Sequence, residues 1–425
     1  MPAVVFFRTL VQYVTPFILT AQRMNPIQAY LRMQLASNRY PILNLGFRPF
    51  FAGAAIYSVV STLAWTGMYI FGLLPNSIAL PQTVWHAHEM IFGYCMAVIA
   101  GFLLTAAGNW TGVQTVTGTP LLLLFLLWLG GRLLLASGNS DMLQAAAICD
   151  GLFGAGLVIA ILVPVIRVRQ WQQLGIVSKI VLLVASNMVF YAGTLGLLED
   201  GSRIGLYSGI YIVMALIFVM GRRVIPFFIE KGVGYPVQVR NRAWVDIASL
   251  VLFLGFWIAD VLQPDTLLVA TLSAALLALH ILRLIDWHTP GIWRRPLLWV
   301  LYIGYGWLGA GFALKTAVPL LDISPLPALH AFAYGGIGMI TLGMMSRVSL
   351  GHTGRNVFEP PPVLFPMFAV LLAGAVCRVA LPLLDTARYV TWIGISQCLW
   401  IVAFCIFLAV YLPMLARPRA DGQPG

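Results

Sequence analysis

Charge is scarce in this chain. Of its 425 residues only 9% are Asp, Glu, Lys or Arg, where a soluble globular chain carries about 25%. A soluble enzyme or binding module is thereby excluded. Long polar connections are missing too: the longest, near 229–242, has no room for a soluble domain. Cysteine is sparse. Cys95, Cys149, Cys377, Cys398 and Cys405 lie in apolar runs without CxxC spacing, which excludes a cysteine zinc site or a disulfide framework and reads as packing thiols. No CxxCH occurs, so covalently attached haem is excluded as well. Histidine is limited to six residues.

What the chain has instead is apolar length: 60% of it is hydrophobic. A helix needs roughly 20 apolar residues to cross a bilayer. Twelve such runs occur, near 50–72, 84–107, 119–137, 141–166, 175–198, 203–228, 243–262, 265–285, 297–318, 326–348, 363–384 and 389–414. The reading is an all-α polytopic membrane protein. The net charge of +11 is topological and excludes no membrane reading. With the amino terminus cytoplasmic, all but five of the 25 basic residues fall on that side; Arg132, Arg203, Lys315, Arg378 and Arg388 are the exceptions. This is the positive-inside bias, and it predicts cytoplasmic N and C termini and no nucleic-acid partner. Residues 1–45 mix apolar and basic residues and are broken by Arg8, Gln12 and Pro16. They lack the clean apolar core and cleavage site of a signal peptide. They predict an amphipathic extension on the cytoplasmic leaflet, followed by one twelve-helix domain over 46–415 and a short cytoplasmic tail over 416–425.

Against this background, Trp85–Met90 reads Trp-His-Ala-His-Glu-Met and opens the second span. Ionisable groups are costly at membrane depth and mark sites by default. The tenth span runs in the same direction and begins Pro327-Ala328-Leu329-His330, which puts His330 at the depth of His86 and His88. His280, His288 and His352 fall toward the other side. Residues two apart on a regular helix point about 200° apart, so His86 and His88 face different ways. The His86 stripe continues through Gly93, Ala97, Ala100 and Gly101, leaving room for a flat macrocycle or a close helix contact. The His88 stripe continues through Phe92, Cys95 and Ile99.

Imidazoles suit haem iron and copper, and Glu89 or Asn109 would supply an acceptor for a ligand's other nitrogen. The plainer alternative is interfacial histidines beside Trp85. Arg222, Arg223 and Arg347 end the sixth and tenth spans on the cytoplasmic side. They are candidates to pair haem propionates, against the simpler reading of positive-inside anchors with snorkelling stems. Asp150, inside the fourth span, either bonds to a neighbouring helix or marks a proton or ligand path.

Several motifs occur in a fixed order. Asn44-Leu45-Gly46-Phe47-Arg48-Pro49-Phe50-Phe51 precedes the first span, and Trp85-His86-Ala87-His88-Glu89-Met90-Ile91-Phe92-Gly93 opens the second. Ala100–Ala106 and Asn109-Trp110-Thr111-Gly112 follow. Gly221-Arg222-Arg223-Val224-Ile225-Pro226, His330-Ala331 and Gly343–Arg355 come later. Over about residues 44–415 this series resembles the NnrS family of bacterial inner-membrane proteins. The resemblance implies a multi-pass protein of the inner (cell) membrane with non-covalent, b-type haem and copper. It also implies a link to denitrification and nitric oxide tolerance. The family's histidine motifs map onto His86, His88, His330 and His352 as metal ligands. By topology His352 lies a membrane's thickness from His330, so ligands at both positions serve separate sites.

The leading expectation is a haem protein that binds or turns over nitric oxide, a small neutral ligand that reaches a membrane site through lipid. A haem–copper respiratory reductase is not expected, because too few histidines gather on one side. The alternative is a secondary transporter of a metal, haem or a small solute. Against it, the loop Gly108–Thr119 has no charged residue, which departs from the major-facilitator pattern. A sensor or metal chaperone ranks last, since short loops offer little docking surface. The expected partners are the lipid bilayer and nitric oxide.

Overall fold

The computed structural model describes residues 40–73, 80–423 and 425, so the expected N-terminal extension lies almost wholly outside the described residues. In lipid every backbone N–H and C=O of a spanning segment must be satisfied internally, which a helix achieves alone. Among the described residues, twelve helices are long and apolar enough to cross a membrane. They are α1 (Phe47–Phe71), α2 (Gln82–Thr111), α3 (Gly118–Ala136), α4 (Met142–Arg167), α5 (Trp171–Thr194) and α6 (Gly201–Gly232). The others are α7 (Ala243–Leu262), α8 (Leu267–Trp287), α9 (Pro296–Leu321), α10 (Leu326–His352), α11 (Leu364–Leu384) and α12 (Thr386–Ala416). The protein is therefore an all-helical, multi-pass membrane protein. Gly72 and Gly112 stop α1 and α2 with φ of 63° and 66°, in the left-handed region that glycine enters without a Cβ penalty.

Sequential neighbours pack as pairs: α3 on α4, α5 on α6, α8 on α9 and α11 on α12, with α1 lying against both α2 and α12. Buried share separates centre from rim. It is 72% and 78% for the apolar windows of α2 and α10, against 33–44% for α1, α3, α4, α5, α7, α8, α11 and α12. The two helices that carry His86, His88 and His330 are thus the innermost ones. The rim helices leave Leu133, Ile247, Val251 and Leu254 uncovered, as side chains facing acyl tails would be.

Both central helices depart from regular α geometry, and at the same place relative to their histidines. In α2 the backbone widens to π-helix over Glu89–Cys95, directly after His88. In α10 it does so over Ala331–Gly338, directly after His330. A π turn takes up more residues per turn than an α turn, and such segments concentrate at functional sites. His86 and His88 both precede the π segment, so their opposed directions hold. Below it, the regular-helix stripes through Gly93 or Phe92 are rotated. Tyr94 of the first π segment and Thr341, just past the second, stand 2.7 Å apart and tie α2 to α10.

Candidate functional site

His330 closes the first turn of α10, and its ring is fixed from both sides. Nδ1–H donates to the Leu326 carbonyl at 2.8 Å. Nε2 accepts from Arg378 Nη2 of α11, also at 2.8 Å. A ring whose Nδ1 hydrogen is tied to a backbone carbonyl is the neutral tautomer with its Nε2 lone pair free for a partner. His330 and Arg378 line a cavity of about 310 Å³ between the α9–α10 and α11–α12 connections. Its other walls include Ile323, Leu326, Pro382, Leu383, Thr386 and Tyr389. That volume is at the small end for ligand pockets.

His86 lies on the same side of the molecule. Its ring stacks on Trp65 of α1 with centroids 4.5 Å apart, and Trp65 stacks in turn on Tyr69 at 4.7 Å. Arg378 is an electrostatic neighbour of His86, His330 and Tyr69. Among the described residues the buried Nδ1 of His86 has no hydrogen-bond partner. Buried ring nitrogens normally find one, so this orphan marks a place where a partner belongs.

His88 has very different surroundings. Nδ1 meets Glu89 Oε1 at 2.8 Å and Nε2 meets Asn187 Oδ1 of α5 at 2.9 Å. Glu89 also accepts from Tyr57 and, at 2.7 Å, from Arg132 Nη1 of α3. Arg132 forks onward to Asp150 of α4, which accepts as well from Asn187 Nδ2 at 3.2 Å and from the Tyr191 hydroxyl at 2.9 Å. The donor logic is closed. Asn187 must turn its amide nitrogen to the Asp150 carboxylate, so its oxygen faces His88 and both His88 nitrogens donate. With His88 protonated, two cations balance two carboxylates, which is how a charge set survives in a dry interior. His88 and Glu89 are fully buried. In this arrangement His88 has no nitrogen free for a metal.

The expected propionate partners lie at the opposite end of the bundle. Arg222 pairs with Asp246 at 3.0 Å, Arg223 is exposed, and Arg347 sits 3.7 Å above the Phe228 ring. Arg347 and His352 follow His330 by 17 and 22 residues on α10, a rise of about 25 Å and 33 Å. His352 packs beside Phe47 with ring centroids 5.7 Å apart. The C-terminal tail crosses this end: Arg48 donates to the carbonyls of Leu415, Arg417 and Gly425, and Arg419 donates to that of His352. The remaining buried histidine, His280, is stacked between Phe218 and Phe312 and bonded to Tyr305.

The structure thus brings His86 and His330 to one end, isolates His88 in an ion-pair cluster, and leaves His352 at the other end with Arg222, Arg223 and Arg347. Sequence reasoning missed Arg378, Trp65 and Asn187. A signal for Arg378 was present in the charge distribution, since it breaks the positive-inside bias. Among the described residues no three His, Cys, Asp or Glu side chains converge as a metal cluster.

No curated protein matches this chain. Residues 41–419 match the family model described as NnrS protein, which takes in every one of the motifs and all twelve helices. With the match spanning nearly the whole helical bundle, the chain belongs to the NnrS family.

Proposed function

We propose that this protein is a membrane-embedded haem protein that binds nitric oxide and limits nitrosative stress during denitrification or anaerobic growth. One observation carries the reading most: His330 holds its Nε2 at a cavity wall while a backbone carbonyl fixes Nδ1. The family membership and the buried nitrogen of His86, unpartnered among the described residues and on the same side of the molecule, add to it. These residues fit an imidazole-held prosthetic group. His330 is the proposed ligand and His86 its companion on the same side. When bound, haem would supply an iron able to take up nitric oxide. The chain's part is to fix the imidazole, keep the surroundings apolar with Ile323, Leu326 and Leu383, and admit a neutral gas from lipid. On the basic-residue bias this end is expected to face the outer side of the membrane. Copper fits less well, since no three-ligand cluster forms among the described residues, and we assign it no site.

The test uses the full chain purified in detergent from haem-replete cells. We expect a reduced haem absorbance band that shifts on adding nitric oxide. A colourless preparation without haem overturns the reading. The competing reading is a transporter, favoured by the charged cluster that joins α1 to α5 through Tyr57, Glu89, Arg132, Asp150 and Asn187. Uptake of copper or haem into vesicles would support it.

A further inference from the structure

Arg378 is the anomaly among the buried cations. Arg132 pairs with Glu89 and Asp150, Arg283 with Asp246, and Lys315 with Asp260. Arg48 is wrapped by three carbonyls. Arg378, only 8% exposed, has a single hydrogen-bond partner among the described residues, the neutral His330. All fourteen acidic residues of the chain lie in the described part, and none of them forms an ion pair with Arg378. Asp385, in the connection between α11 and α12, is turned to the Arg388 amide and the Trp392 indole. A guanidinium held out of water without a counter-charge is costly. This one also borders a cavity.

We propose that Arg378 is the anchor of an anion site, and that its ligand is a monocarboxylate with an apolar body. One guanidinium balances one negative charge, and its planar fork matches a carboxylate in two parallel hydrogen bonds. Ser324, Thr386 and Tyr389 offer hydroxyl groups at the same cavity, while Ile323, Leu326 and Leu383 supply apolar wall. His330 takes only Nη2 of the guanidinium, which leaves its other N–H donors for the carboxylate. The carboxylate has two sources: a propionate arm of a prosthetic group, which rests on the haem reading above, or a free small acid, which does not.

The experiment measures binding of butanoate, with butanol as the neutral control, to the full-length protein prepared from haem-limited and from haem-replete cells. Haem retention is read alongside in wild type, Arg378→Gln and Arg378→Lys. In haem-free wild type we expect butanoate but not butanol to bind, with at least a tenfold loss in Arg378→Gln and a smaller loss in Arg378→Lys. If a propionate arm is the natural occupant, haem-loaded protein excludes butanoate and Arg378→Gln loses haem on gel filtration. If a free acid is, haem-loaded protein still binds butanoate. Protein that never acquires haem defeats the haem reading and leaves the butanoate comparison intact. The proposal is overturned if Arg378→Gln binds butanoate as wild type does. It is also overturned if wild type binds none and Arg378→Gln retains haem normally. The retained charge of Arg378→Lys separates loss of the anchor from loss of the fold.

Discussion

At the residue scale, the five exceptions to the charge bias are the informative ones. Arg203 and Arg388 are surface residues with i,i+3 partners. Arg132, Lys315 and Arg378 are buried, and each does something specific: Arg132 joins two carboxylates, Lys315 bonds Asp260, and Arg378 faces a cavity. For these three the interior has a use for the charge. Arg132 makes this testable. Replacing it with Met strands Glu89 and Asp150 as buried carboxylates without a cation, and breaking such a set by removing one partner costs about 3–5 kcal/mol. We expect Arg132→Met to unfold at markedly lower temperature in detergent, with fluorescence-detected melting as the measure. An unchanged melting temperature would mean the cluster is not held by its charges.

At the element scale, the existence and number of the helices were legible because lipid imposes one solution on every long apolar run. The directions of His86 and His88 were legible too, since both stand on the regular turn before Glu89. The π segments were not. Periodicity arguments assume one helical pitch, and nothing in Glu89–Cys95 or Ala331–Gly338 announces a wider turn except a high glycine content in the second. The partners of Asp150 were equally hidden. Sequence placed it inside α4 and left a neighbouring helix as one option, but Arg132, Asn187 and Tyr191 come from two other helices. Their meeting depends on helix rotation, and on Gly131, where a Cβ would stand 2.2 Å from Asp150 Oδ1. Nor did the sequence assign a role to Arg48 in the motif before the first span, which anchors the C-terminal tail.

At the scale of the whole molecule, two ends with different character are joined by α2 and α10. One end carries His86, His330 and the Arg378 cavity; the other carries His352, Arg222, Arg347 and the docked tail. Which end faces the cytoplasm is predicted by the basic residues alone. In a cysteine-free background, Gly138→Cys between α3 and α4 should react with a membrane-impermeant maleimide added outside the inner membrane. Val237→Cys between α6 and α7 should react only after the membrane is permeabilised. The reverse pattern would turn the His330 cavity toward the cytoplasm.

The division between a His330 whose Nε2 meets Arg378 at a cavity wall and a His88 closed inside an ion-pair cluster is the centre of the account. Haem content per chain, measured on equal amounts of folded wild type, His330→Ala and His88→Gln, tests it most directly. Loss of haem from His330→Ala with retention in His88→Gln is the expected result. Retention in His330→Ala with loss from folded His88→Gln would contradict it.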